Sequence, residues 1–200
     1  TPAGPTYDTI TNALVAAGAA ATGSSQVVVM VKGGTYAEDL VIPDYVHVVA
    51  EGGNLTYSTV LQGSVTYSGS GRASLANFYI TTGDAGGLVN VSGSGTLEIF
   101  STSIDNTAVG PVATLATGRL IANDGVIRST AGTGGAATVV VTSGQFQSYR
   151  TNLTEAAGGR ALSAAAGSAS VFGPATVTGQ IDYSGTATGT VSQVNVVHMA

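Results

Sequence analysis

The sequence predicts an all-β protein, a single-stranded right-handed parallel β-helix behind a short N-terminal capping helix. Three observations carry this reading. Small-residue-plus-glycine pairs recur at Ser70-Gly71, Ser94-Gly95, Thr117-Gly118, Ser143-Gly144 and Ala166-Gly167, so the glycines fall 24, 23, 26 and 23 residues apart. Apolar residues hold one phase within each unit. Helix signals are confined to one early segment, after which every candidate element is a short, β-branched run bounded by Gly, Ser, Thr or Asn.

The helix signal is Tyr7-Asp8-Thr9-Ile10-Thr11-Asn12-Ala13-Leu14-Val15-Ala16-Ala17-Gly18, in which Ile10, Ala13, Leu14 and Ala17 share a face. Thr6 or Asp8 is expected to cap its start and Gly18 to end it. A small-residue turn over 19–25 leads into the strand Val27-Val28-Val29-Met30-Val31. In the repeats, Ala73, Leu97, Leu120, Phe146 and Ala169 stand two residues after each glycine, and Leu75, Ile99, Ala122, Ser148 and Val171 stand four after. Ile80, Ile104, Ile127, Leu153 and Thr176 stand nine after, and a third apolar stretch follows at Leu88-Val89-Val91, Val112-Leu115, Val139-Val141 and Ala161-Leu162-Ala164. Three period-2 strands in about 23 residues make one coil of a β-helix, each strand pairing with its equivalent one coil away. A β-sandwich is the alternative, but it has no reason to keep a fixed phase over five units. The organisation expected is therefore an arm and capping helix over 1–25, the β-helix over 26–179, and C-terminal strands over 180–200 that contribute to an oligomer contact.

Composition restricts the function. Hydrophobic residues make up 44% of the chain, enough for a sizeable core, whereas charged residues make up only 8%, about a third of the ~25% usual in soluble domains. The surface is therefore built from neutral Thr, Ser, Asn and Gly. A net charge of −5, with Lys32 and five scattered arginines as the cations, offers no basic patch, so nucleic acid is not expected as a partner. Without cysteine there is neither a disulfide framework nor a thiolate nucleophile. No apolar run is long enough to span a bilayer and the N-terminus lacks a signal-peptide layout, so no membrane association is expected.

The segment 9–53 carries, in order, the helical Ile10 to Leu14, the strand Val27 to Val31, Gly34-Thr35-Tyr36-Ala37-Glu38, Leu40-Val41-Ile42-Pro43 and Val46-His47-Val48-Val49-Ala50-Glu51-Gly52-Gly53. This succession resembles the N-terminal end of pectin-lyase-like β-helix proteins. The resemblance covers about a quarter of the chain and implies the fold; it leaves function open, because that superfamily holds lyases, hydrolases, esterases and non-catalytic surface and virion proteins. Gly-x-Tyr-x-Glu is also a pectin methylesterase signature, but the Gln-Asp-Thr, Asp-Phe-Ile-Phe-Gly and Leu-Gly-Arg-Pro-Trp contexts of that family are missing here. A structural role is expected instead, with Gly34 making a turn, Tyr36 packing beneath it and Glu38 accepting backbone hydrogen bonds.

Glycan-cleaving β-helices gather acids on neighbouring coils, where one serves as acid and another as base or nucleophile. The repeat alignment tests for such a cluster. Asp105 stands ten residues after its glycine and the next unit has Arg128 there; Asp124 stands six after and the next unit has Arg150. Equivalent positions lie about 4.8 Å apart, so both acids are expected to form inter-coil ion pairs on the surface, each contributing about 0.2–1 kcal/mol. Glu98, Glu155 and Asp182 read as isolated, Asp84 as a loop residue, and Glu38, Asp39, Asp44 and Glu51 precede the regular register. His47 lies in an alternating strand and His198 close to the end. No serine sits in a Gly-x-Ser-x-Gly elbow, and no metal ligand set or cofactor is expected.

The function expected is that of a non-enzymatic structural virion protein, a homotrimeric decoration or cement protein of a tailed bacteriophage, made in the host cytoplasm and held on the capsid or tail. Its partners would be the major capsid protein or another virion protein. The alternatives are a polysaccharide-binding or polysaccharide-cleaving β-helix, either a tailspike depolymerase or a pectinase-like enzyme, with a cell-surface glycan as partner, or a bacterial surface adhesin.

Overall fold

A computed structural model describes residues 4–51, 58–82, 86–132, 137–156 and 159–197. Asp84 and His198 lie outside them. The chain is a parallel β-solenoid of about six turns with one short N-terminal helix.

Three strand stacks form its faces. The first face stacks Val27–Val31, Val46–Ala50, Arg72–Ala76, Thr96–Phe100, Arg119–Asn123, Gln145–Tyr149 and the start of Ser168–Thr178, all parallel. The second runs from Gly34–Tyr36 through Thr59–Leu61, Tyr79–Thr82, Ser103–Asn106, Val126–Ser129 and Asn152–Glu155 to the later part of Ser168–Thr178, which turns from one face into the other. The third stacks Leu40–Val41, Val65–Tyr67, Val89–Val91, Ala113–Leu115, Ala137–Val141, Arg160–Ala164 and Gln180–Tyr183. Gln180–Tyr183 is thus the last strand of the third face, and Val191–Val197 pairs in parallel with Ser168–Thr178. The region 180–197 continues the solenoid.

Alternation sets which side chains enter the core. Positions two after the glycines (Ala73, Leu97, Leu120, Phe146, Ala169) and four after (Leu75, Ile99, Ala122, Ser148, Val171) all point inward and are buried, with Val46 and Val48 preceding them in the same rows. Nine after, Ile80, Ile104, Ile127 and Leu153 are buried as well, but the last member differs from expectation. Leu153 pairs with Val177, not Thr176, because the Gly173-Pro174 corner holds one more residue than the earlier corners. A one-residue slip exchanges inside for outside, so Thr176 faces out.

The glycine column has a direct cause. A Cβ placed on Gly95 would lie 2.4 Å from the carbonyl oxygen of Gly71, one on Gly144 2.7 Å from that of Gly118, and one on Gly167 2.0 Å from that of Gly144. Those carbonyls accept the amides of Thr96 (2.8 Å), Gln145 (2.7 Å) and Ser168 (3.1 Å). The inter-coil bonds draw the backbones together until no side chain fits.

Six residues after each of the first four glycines the chain turns from the first face to the second through a left-handed residue: Asn77 (φ 68°), Ser101 (46°), Asp124 (55°) and Arg150 (49°). Such a conformation costs roughly 1–2 kcal/mol for a residue with a Cβ. The cost is offset by ladder bonds that carry on through the corner, from the amides of Asn77, Ser101, Asp124 and Arg150 to the carbonyls of Phe100, Asn123, Tyr149 and Phe172 at 2.9–3.0 Å.

The helix α1 (Ile10–Ala20) covers the open end of the first coil with Ile10, Leu14 and Ala17. Its cap is Thr9, whose side chain accepts the Asn12 amide at 3.1 Å; neither Thr6 nor Asp8 holds that position. Nor does Gly18 end the helix. It lies in the last turn, where a Cβ would meet the Pro43 ring at 2.8 Å, so its smallness lets the helix seat on the coil.

Candidate functional surface

The Gly-x-Tyr-x-Glu segment joins the helix to the first coil. Gly34 opens the strand Gly34–Tyr36, while the bend falls one residue earlier, at Gly33, where a Cβ would press to 3.2 Å from the Ser58 carbonyl oxygen. The half-buried Tyr36 packs against the core and donates its hydroxyl to the Lys32 carbonyl at 2.9 Å. Glu38 accepts the amides of Ile10 (3.1 Å) and Thr11 (2.9 Å) and the Thr11 hydroxyl (2.7 Å), capping the first turn of α1. Burial raises its pKa, but the Thr11 and Ile10 hydrogen bonds outweigh this and hold the carboxyl below the ordinary value.

Asp39 and Asp44 use the same chemistry on the following coil. Asp39 accepts the Ser64 amide and hydroxyl, both at 2.8 Å, and its pKa is lowered by those bonds. Asp44 accepts the buried Tyr67 hydroxyl (2.7 Å) and the amides of Ser70 (3.1 Å) and Gly71 (2.9 Å). Burial works against it, yet these bonds leave its pKa lowered too.

Beyond Gly71 the acids meet arginines. Asp105 pairs with Arg128 at register-matched positions of Ser103–Asn106 and Val126–Ser129, and Asp124 with Arg150 at 2.5 and 2.7 Å across the left-handed corner. The two differ in burial. Asp124 is 46% exposed, whereas the Asp105 side chain is 7% exposed beneath the Tyr79 hydroxyl (3.2 Å). Asp105–Arg128 is therefore a partly buried pair and not the surface pair its spacing implied. Glu98 and Asp182 are not isolated either, since Arg72 binds Glu98 and Arg160 lies 3.4 Å from Asp182. Their partners stand at unequal offsets on neighbouring coils, which matching equal offsets cannot find. Glu155, 1% exposed, accepts the Gly159 amide. Among the described residues, eight acids thus hold an arginine or an amide. His47 is bonded through both ring nitrogens, to Ser74 (2.7 Å) and Gln26 (2.9 Å).

The outward rows of the first face form the most distinctive surface. Five residues after the glycines, one row runs Ala76, Phe100, Asn123, Tyr149 and Phe172, headed by Met30 and Val49. Met30 is 56% and Phe100 36% exposed, and Val28 and Ile121 stand in the neighbouring row. The rings of Tyr149 and Phe172 stack at 5.0 Å and 13°. Each ring covers one face of the other, which leaves less open ring face for a sugar to stack on. Sequence reasoning missed this row; its one signal is the phase opposite to the core in the repeat alignment, which does not say what the row faces.

Between α1 and the free edge of Val27–Val31 lies an open groove of about 710 Å³, lined by Ile10, Ala13, Ala17, Val29, Val31 and Tyr36 among others. Among the described residues no cluster of three or more His, Asp or Glu is placed to hold a metal, and no helix is long and apolar enough to cross a membrane.

The fold and these surfaces define the class: a parallel β-solenoid protein. No family model, curated protein or solved structure matches the chain.

Proposed function

We propose that this chain is a non-enzymatic structural protein, a homotrimeric decoration or cement protein on the capsid of a tailed bacteriophage. The observation that carries the structural part is the outer row of the first face, where Met30, Phe100, Tyr149 and Phe172 form an apolar stripe along the solenoid. An exposed apolar row of this kind, flanked by Arg72, Glu98 and Arg119 in the neighbouring rows, is suited to contact with other protein subunits, whose interfaces join an apolar centre to a polar rim. The engaged acids support the same reading, because carboxylates committed to arginines and amides are poorly poised for acid/base work. The virion setting rests on the resemblance to the pectin-lyase-like superfamily and on the compact, cysteine-free chain.

Light scattering on the purified protein, followed by electron microscopy of particles incubated with it, tests this. Three copies in solution and density on the capsid surface are expected. A monomer that leaves particles bare, or release of reducing ends from a polysaccharide, would overturn it.

A further inference from the structure

The strand Val27–Val31 pairs on one side only, with Val46–Ala50, and its other edge faces the groove beside α1. The Val27 amide donates to the Tyr45 carbonyl at 3.0 Å, and the Val31 carbonyl accepts the Glu51 amide at 2.7 Å. In a parallel ladder the N–H and C=O of one residue point to the same neighbouring strand, and alternate residues point to opposite neighbours. Val27, Val29 and Val31 are therefore bonded to Val46–Ala50, whereas Val28 and Met30 turn their N–H and C=O toward the groove. Among the described residues, nothing bonds those four groups. The consecutive residues from Val27 to Lys32 all line the groove, core-facing and outward ones alike, as they do where a cavity runs along a strand edge and not across a sheet face. The opposite wall is α1, whose Ala13, Ala16 and Ala20 leave the gap open. The segment 4–7 also lines the groove, and among the described residues no hydrogen bond ties it to the strand. Lys32 and Glu51 stand at one end, exposed and at neighbouring positions of adjacent coils, so their charges offset each other there.

We infer that this groove takes an extended, uncharged segment of a partner protein, which adds to the free edge of Val27–Val31 as one more strand of the first face. Three features of the molecule select this occupant. First, the N–H and C=O groups of Val28 and Met30 stand in a row at strand spacing; a peptide backbone matches them, and an alkyl or aromatic ligand does not. Second, the groove runs the length of the strand, about 17 Å for five extended residues, so a short segment fills it. A folded solenoid does not reach this edge, because α1 stands over the coil end, whereas a single strand needs only the gap between helix and edge. Third, every side chain from Val27 to Val31 and along α1 is neutral, so a charged segment would lose its water there without gaining a partner. By strand alternation, every second side chain of the segment enters the gap beside Ala13 and Ala16, and the others face outward next to Val28 and Met30. Strand addition at this edge does not depend on the number of copies in the oligomer.

The probe is a fluorescein-labelled peptide, Tyr-Val-His-Val-Val-Ala, with uncharged ends. It copies residues 45–50, the stretch that pairs with the other edge of this same strand. Fluorescence anisotropy is expected to show saturable binding, and the same peptide N-methylated throughout, which keeps its side chains and loses its donors, is expected to bind at least about tenfold more weakly. Two variants close the site from the protein's side. Val28→Pro removes a donor from the free edge and none from the ladder, and Ala16→Trp fills the groove from the helix. Each is expected to weaken binding about tenfold or more, with circular dichroism and the melting transition kept. Should a variant lose its fold, amide exchange in the wild type carries the test. Val28 and Met30 are expected to exchange rapidly in the free protein and at least about tenfold more slowly with peptide bound, while Val29, already in the ladder, stays unchanged. No binding at millimolar peptide overturns the inference. So does equal binding of the methylated peptide, which means apolar contact without strand pairing, or equal binding to both folded variants, which means a site elsewhere. Binding that appears only on dilution to single chains means that a second copy holds the groove, and overturns it as well. Light scattering on the same samples reads the copy number separately, so an empty groove and a failed trimer are told apart.

Discussion

The first two coils and the later ones use the same residue type for different work. Up to Gly71 the carboxylates of Glu38, Asp39 and Asp44 accept backbone amides of the helix or of the next coil. Beyond it Glu98, Asp105, Asp124 and Asp182 face arginines. The reason lies in the backbone. Where coils are regular, the ladder satisfies their amides through the strands and left-handed corners, so the acids are left to side-chain partners. Where the helix joins the solenoid and the turns have unequal lengths, amides fall outside the ladder and need an acceptor. Irregular structure draws its acids to the backbone, and in the regular coils the acids mostly meet arginines, with Glu155, which accepts the Gly159 amide, as the exception.

The sharpest break in this comparison is Asp44→Ala. It strips three bonds and leaves the Tyr67 hydroxyl buried without its acceptor, so a loss of about 3 kcal/mol is expected from denaturant titration. Next come the two arginines. Arg128→Ala uncovers a buried carboxylate and is expected to cost about 2 kcal/mol, whereas Arg150→Ala removes an exposed, solvent-screened pair and is expected to cost clearly less. Equal losses would mean that the burial of Asp105 has no energetic weight. The smallest and most local effect concerns pH. Glu38, Asp39 and Asp44 have folded pKa values below their unfolded ones. Their stabilisation is present above the ordinary carboxylate range of about 4 and is lost as pH falls through the lowered values. Hydrogen exchange at acid pH should therefore speed up at Thr11, Ser64 and Gly71 before it does in Thr96–Phe100.

Much of this was legible in the chain because a solenoid repeats its physics. The glycine spacing that located the coils is the spacing at which backbones collide with a Cβ, and the inward rows two and four residues later follow from strand alternation alone. The pairing of Asp105 with Arg128 followed from equal offsets in neighbouring units. Glu38 is expected to accept backbone amides and does, from the helix; the Arg72–Glu98 and Arg160–Asp182 pairs escaped because they cross between offsets, and the Asp39 and Asp44 contacts because they precede the regular register.

The sequence by itself determined the all-β solenoid, its coil length, its core rows and its capping helix, since each depends on local period or on repetition at one interval. Only the tertiary structure decided which face each outward residue shares and how deeply Asp105 is buried. It alone also decided that Thr9 and Glu38 together cap α1 and that residues 180–197 continue the solenoid. Those depend on how corners of unequal length bring distant residues together. The extra residue at Gly173-Pro174, which turns Val177 inward in place of Thr176, shows how a single insertion escapes a rule built on equal intervals.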